Sequence, residues 1–396
     1  MSALAAANAE QASPATPSLD PEWSFLRTAV SPSSGGKEDR LRSVCGSVRW
    51  KRLFELAERH GVQPLLYQAL SRAGGLAPPA EMRVLGKLHE TNLHKMMLLS
   101  RELIHVVDHM AQHNIEVLPY KGAAVAEAVY GDIALRQAGD IDLLIRVDDL
   151  PRIQTSLHEL GYEPQVRLSP PQERASLQSG YECVFEGPAG RNLLEVQWAI
   201  QPRFYAVDFD QESFFRRAVP ITVAGHPMKT ASPEDLILLL SLHAAKHVWG
   251  RLIWLCDLAR LMSFPALNWD AIAAQARDLG IVRILRVSFL LAGRLLHMEI
   301  PDAAGTALPA DPQAEGLAQE IEDYIAGSAE YDVESVAYFR LMLRLRESRR
   351  DRIRFVTRLA LTPGPAEWAM VQLPEPLFPL YRVVRFWRLA GRLARR

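Results

Sequence analysis

Asp140 and Asp142 stand one residue apart at the head of an apolar run that includes Ile141, Leu143, Leu144 and Ile145. Side chains two apart on a β-strand point to the same face, so both carboxylates would share one side of a sheet. Neighbouring carboxylates repel, and burying them uncompensated is costly. A hard divalent cation offsets that cost, because Mg²⁺ binds carboxylate oxygens directly. The plainer alternative is a pair of turn residues that alternate by chance. A third acid, Glu195, lies in "RNLLEVQWAI", where alternation puts Leu193, Glu195 and Gln197 on one face and Leu194, Val196 and Trp198 on the other. If the two strands are neighbours, Asp140, Asp142 and Glu195 form a ligand set for Mg²⁺ or Mn²⁺. Two such ions would divide the work of nucleotidyl transfer. One would activate an acceptor hydroxyl, while the other would hold an NTP triphosphate and the departing pyrophosphate.

A phosphate cradle is expected just upstream, at Lys121-Gly122-Ala123. Glycine lets a backbone approach phosphate closely, and a helix that follows offers free N–H groups at its positive end. Lys121 would add a charge. Arg136 either grips the triphosphate as a delocalised, always-charged donor or forms a salt bridge on its loop. Further along, His243, Lys246 and His247 fall at i, i+3 and i+4 on one helical face. "HAAKH" lacks the glutamate of a zinc-protease helix, so a polar patch completing the nucleotide pocket is the better reading, with a helix–helix contact as the alternative. Asp257 could orient one of these groups or make a surface salt bridge.

The elements that must position these residues follow from periodicity. Residues 20–112 read as a helical N-terminal region, with "WKRLFELAERHGV" and "LHKMMLLSRELIHVVDHMAQHN" both spaced for helices. Residues 113–230 read as a small α/β unit. Its parts are a strand at 115–122, a compact helix ending near Gly131, a strand at 140–147, a helix started by Asp148 or Asp149 with Pro151 in its first turn, and a hairpin around Gly187–Gly190. One strong helix is predicted from Ser232 through Met262, opened by a Ser232/Asp235 capping box, inside a helical C-terminal region over 231–300. A loop and an Arg-rich helical tail fill 301–396, with thirteen arginines after residue 340 and no acid after Glu375. Such a tail suits an anionic membrane surface or an acidic partner, or a helix packed on the body with a solvated arginine face.

Bulk composition excludes several classes. A net charge of −1 gives no reason to expect long nucleic acid as a partner. Three widely spaced cysteines exclude a disulfide framework and fit a reducing, cytoplasmic setting. Residues 1–19 read as a disordered leader rather than a signal peptide, and no apolar run is long enough to span a membrane.

Taken together, "LPYKGAAVAEAVYGDIALRQAGDIDLLIRVDD" resembles the core of the uncharacterised bacterial nucleotidyltransferase family, within the DNA polymerase β-like superfamily. That family carries a K-G-x-A-L turn and an L-R-x-x-G-D-I-D-L-L signature. These match Lys121 to Val125, then Leu135, Arg136 and Gly139 through Leu144. The likeness covers roughly residues 45–265. It implies an α+β fold, a minimal nucleotidyltransferase mixed sheet flanked by helical regions, and metal-dependent transfer of an NMP group. The acceptor would be a small molecule, sugar, modified peptide or protein. The alternative is a catalytically weak or inactive nucleotide-binding accessory protein that keeps the fold. Two departures stand out: Ala123 where serine or glycine is usual, and Gln197 where relatives often carry histidine.

Overall fold

The computed structural model describes residues 20–33, 35–190, 192–326 and 335–394. The expected leader over 1–19 lies outside these residues. Five strands form one mixed sheet: β1 (Leu118–Pro119), β2 (Ile141–Leu144), β3 (Glu163–Pro164), β4 (Glu182–Glu186) and β5 (Leu193–Gln197). Their order is β1-β2-β5-β4-β3. β2 and β5 pair in parallel at the centre, and every other pairing is antiparallel. Parallel strands are covered on both faces, which is why Ile141, Leu143 and Leu144 are all buried. A second hairpin, β6 (Val219–Val223) with β7 (His226–Thr230), forms its own two-stranded sheet.

One face of the five-stranded sheet is covered by two helices. In Pro79–Gln112 the buried residues Met96, Leu99, Leu103, Val106 and Met110 recur every three or four positions and make one apolar stripe. In Leu150–Glu159, Leu150, Ile153 and Leu157 do the same. Both stripes join Ile141, Leu143, Leu194 and Val196 in a single core. The Leu150–Glu159 helix has Pro151 in its first turn and Gly161, at φ +80°, just past its end. Asp149 stands at its N-cap but makes no capping bond; its carboxylate pairs with Arg152 at 2.9 Å instead. The connection from there to β5 also contains β3 and a helix at Pro170–Ser179 that periodicity did not suggest.

The larger core is helical and draws on both ends of the described chain. Helices Pro21–Val30, Trp50–Arg59 and Gln63–Ala73 pack with Pro233–Lys246, Leu252–Met262, Val282–Leu296 and Pro312–Ala326 around one continuous apolar interior. The expected single helix from Ser232 to Met262 is two helices. Ser232 caps the first as predicted, its hydroxyl accepting from the Asp235 N–H at 3.2 Å. The break follows Lys246, where Val248 and Trp249 take left-handed backbone at φ +52° and +50°. That conformation is unfavourable for non-glycine residues. It is offset by Trp249, whose fully buried ring inserts into the core and whose indole N–H donates to the Ser288 hydroxyl at 2.9 Å.

Four arginines of the tail make ion pairs with the body or with a neighbouring helix, while Arg349, Arg350 and Arg382 are exposed. Arg354 and Arg358 pair with Asp208. Arg385 and Arg388 converge on the fully buried carboxylate of Glu367 at 3.3 and 2.5 Å. Phe386 and Trp387 of the Tyr381–Ala394 helix nevertheless face outward, 59% and 70% exposed. Among the described residues, no helix is long and apolar enough to cross a membrane. The role given to Trp249 makes Trp249→Ala the most damaging change at the helix break. It should cost about 3–5 kcal/mol, the usual loss for truncating a buried aromatic, read as a lowered midpoint in urea.

Candidate active site

The sheet register sets Asp142 directly opposite Glu195 on adjacent parallel strands, and Leu144 opposite Gln197. On the other side of β5, Val184 faces Glu195 and Glu182 faces Gln197. Asp140 precedes β2, two residues before Asp142 and on the same side. Four carboxylates (Asp140, Asp142, Glu182 and Glu195) therefore line one cavity of about 630 Å³. Burial and the charges of Asp142 and Glu182 push the Glu195 carboxyl up to about 8. Burial and Asp142 likewise hold Asp140 above the usual carboxylate range.

Lys121 supplies the nearest positive charge. Its ammonium lies 2.7 Å from Asp142 Oδ1, with both side chains largely buried. Burial disfavours that charge, but Asp142, Tyr120 and Glu195 together outweigh it and hold Lys121 above its ordinary value. Gly122 makes the approach possible. It sits at φ +53°, and a Cβ there would lie 3.4 Å from the Asp140 carbonyl oxygen. Both the left-handed backbone and the close pass favour glycine. The chain then turns helical over Gly122–Val125, with Ala123 buried in the sheet core.

Gln197 ties the acids together. Its amide nitrogen lies 2.9 Å from Glu195, 3.1 Å from Glu182 and 3.3 Å from Asp142, while its oxygen accepts from the Tyr120 hydroxyl. A primary amide has only two N–H bonds for these three acceptors, so the carboxylates share a donor that does not itself titrate.

The opposite wall comes from the helical core. Lys246, at the end of its helix, donates to the Tyr181 hydroxyl at 3.0 Å and lies over that ring at 4.7 Å. His243, His247 and Trp254 form a cluster with ring centroids 4.9–5.3 Å apart. Burial, then the charges of Lys246 and Lys121, lower His247 to about 4. Burial and Lys121 lower His243 further. Both imidazoles are neutral at pH 7. Arg136 also lines the cavity, but its Nε is tied to Asp257 at 3.1 Å. Asp257 is fully buried and also accepts from the Tyr130 hydroxyl at 2.7 Å. The surface salt bridge expected of Asp257 is thus an interior one, and the group it orients is Arg136, not a histidine.

Alternation and proximity bring the predicted site residues to this cavity except Ala123, whose side chain packs in the sheet core. Glu182, Tyr120, Tyr181 and Trp254 were missed. Glu182 stands in "YECVFE", and its place opposite Gln197 is known only from the β4–β5 register. The chemistry of the acids suits a hard divalent cation, and burial followed by repulsion from Asp142 raises Glu195 and Asp140. Lys121 nonetheless occupies Asp142. Among the described residues, the trio that brings three ligand atoms within 4.8 Å is a different one, His109, His113 and Glu159.

Residues 46–297 match the model of a family described as uncharacterised nucleotidyltransferase. The chain belongs to that family. No curated protein matches it. Solved structures similar to it include the antibiotic-resistance factor ANT(2'')-Ia in solution, at 18% identity and TM-score 0.26, over 47% of this chain and 87% of that one. A crystal structure of ANT(2'')-Ia with adenylyl-2''-tobramycin matches at 16% identity and TM-score 0.26, over 56% and 97%. An antigenic nucleotidyltransferase-like protein from Paracoccidioides brasiliensis matches at 17% and 0.29, over 47% and 86%.

In this nucleotidyltransferase-family chain, the acidic face and the buried Arg136–Asp257 pair respond differently to substitution. The folded protein keeps the Glu195 proton up to about pH 8, while the unfolded chain releases it near 4.5. The folded state thus binds the extra proton in that window, and stability falls as pH rises through it. Without added metal, Glu195→Gln should melt a few degrees above wild type above about pH 8 and match it below about pH 4.5. Asp257→Ala leaves a buried guanidinium without its counter-charge and should cost about 3–5 kcal/mol in chemical denaturation.

Proposed function

We propose that this chain is an active nucleotidyltransferase. It moves an NMP group from an NTP to a hydroxyl or phosphate of an acceptor and releases pyrophosphate. The observation that carries this reading is Asp142 set opposite Glu195 across the parallel pair, with Asp140 on the same side and Lys121-Gly122 facing them. Asp140, Asp142 and Glu195 would hold Mg²⁺ or Mn²⁺, which supplies Lewis-acid charge to phosphate oxygens when bound.

The chain's own groups would do the rest. Lys121 and the first N–H groups at Gly122 and Ala123, which have no intrahelical acceptor, would bind the triphosphate. Lys246, steadied on Tyr181, adds a cation from the opposite wall, and Arg136 another, braced by Asp257. The uncharged rings of His243 and His247 with Trp254 offer flat surfaces for a base. Gln197 keeps Glu195 and Asp142 in position. A cavity of about 630 Å³ lies within the range for small-molecule sites, about 300–1,000 Å³. Its acidic wall favours a compact acceptor over long nucleic acid. Free Cys45, Cys183 and Cys256 support a reducing, cytoplasmic setting. The outward Phe386 and Trp387 on the basic tail support a peripheral contact with an anionic membrane or an acidic protein.

A second reading draws on the 2.7 Å Lys121–Asp142 contact. An internal cation there suits a protein that binds nucleotide without transferring it. Calorimetry with Mg²⁺ or Mn²⁺ and each NTP, on wild type and Asp142→Asn, separates the two. The enzyme reading expects nucleotide binding that requires metal. It also expects Asp142→Asn to lower metal affinity at least as much as loss of an outer-shell partner does, roughly 10–100-fold. Nucleotide bound equally well with and without metal sinks it and leaves the second. A labelled-NTP transfer screen against cell extract then identifies the acceptor.

A further inference from the structure

The long helix Pro79–Gln112 ends on two histidines. His109 and His113 are four residues apart and share a face, with ring centroids 4.6 Å apart. Glu159, the last residue of the Leu150–Glu159 helix, reaches between them. Its Oε2 lies 3.3 Å from His109 Nε2 and 3.7 Å from His113 Nε2. We propose that His109, His113 and Glu159 bind one transition-metal dication, with Zn²⁺ the best fit, at a site separate from the acidic cavity.

Spacing is the first argument. Tetrahedral zinc with bonds of about 2.0–2.1 Å sets its ligand atoms about 3.3 Å apart. The two measured separations are already near that value, and all three ligand atoms lie within 4.8 Å of one another. Tautomer is the second. His113 Nδ1 lies 2.9 Å from the His109 carbonyl oxygen, which can only accept. Nδ1 therefore carries the hydrogen, and the Nε2 lone pair is left pointing toward Glu159, the orientation that outer-shell carbonyls impose on metal-binding histidines.

The third argument is a poorly aimed contact. His109 Nε2 is buried and makes no hydrogen bond, although Glu159 Oε2 lies 3.3 Å away, a geometry that a shared ion would satisfy. Two imidazoles and a carboxylate suit zinc rather than magnesium. The His113 and Glu159 side chains are 42% and 51% exposed, which leaves a solvent side for water as the fourth ligand.

None of the three residues lines the acidic cavity, so the site stands or falls independently of the nucleotidyl-transfer reading. Its position gives it a consequence. The long helix leads into β1 and Lys121, and the Leu150–Glu159 helix follows β2 and Asp142. An ion bridging the two ends would pin together the supports of both halves of the catalytic face.

The test uses the full chain after chelator treatment. Zn²⁺ is titrated by calorimetry and Co²⁺ by visible absorption, on wild type, His113→Ala, Glu159→Gln and Asp142→Asn. A Zn²⁺ site of micromolar or tighter affinity is expected, counted apart from any ion the acidic cavity takes up. His113→Ala and Glu159→Gln should weaken it at least tenfold, while Asp142→Asn leaves it unchanged. Zinc should raise the Tm of wild type and not of His113→Ala, and should shift the His113 Nε2 resonance in wild type. No zinc binding by wild type would overturn the proposal and leave a bare His–Glu ion pair. So would affinity unchanged in both site variants, or affinity lost in Asp142→Asn.

Discussion

Four carboxylates on one sheet face with one buried ammonium against them is the constraint around which the rest is arranged. The parallel register of β2 and β5 puts Asp142 and Glu195 side by side, and the β4–β5 register brings Glu182 to the same place. Without compensation such a cluster would be a heavy liability in a low-dielectric interior. Lys121 answers part of it, and it reaches Asp142 only because Gly122 turns left-handed against the Asp140 backbone. Gln197 answers another part by donating toward three acids from one neutral amide. What remains appears as the raised Glu195 and Asp140 carboxyls.

A five-stranded sheet with two very short edge strands cannot enclose a cavity alone. The second wall comes from the helical core, and the helix break after Lys246 is what delivers it. Trp249 anchors that break in the interior. The residues flanking it, Lys246 and His247 before and Arg251 and Trp254 after, then line the cavity opposite the acids. The two walls differ in kind. One is acidic and hydrogen-bonded, and the other carries Lys246, Arg251 and neutral rings.

Local signals were legible in the sequence, and those that depend on pairing were not. The D-x-D and the alternation around Glu195 report a shared face because side-chain period in a strand is a property of the strand itself. Ser232 and Pro151 marked helix starts for equally local reasons. Glu182 carried no such mark, since its meaning comes from Gln197 opposite it. Asp257 looked like a surface residue because Arg136, its partner, is 121 residues away. The helix break was hidden by chemistry: left-handed valine and tryptophan have no turn signature, and only the buried Trp249 contact with Ser288 makes them tolerable. The arginine tail was read by composition, which could not foresee Glu367 and Asp208 as its buried and loop partners.

The charge arrangement also links the two kinds of ligand the site would take. One ammonium cannot satisfy Asp142 and a triphosphate at the same time. Phosphate that draws Lys121 away leaves Asp142 beside Glu195 with nothing positive at hydrogen-bond distance, and that raises the affinity of the pair for a cation. A cation on Asp142 in turn frees Lys121 for phosphate. The coupling must be reciprocal, because each ligand's effect on the other is one free energy seen from two sides. The residue that makes this possible is Gln197. A titratable group in its place could absorb the imbalance by gaining or losing a proton, whereas the amide cannot. The neutral donor therefore leaves the proton on Glu195 as the adjustable charge of the acidic face, and a cation arriving there would displace it.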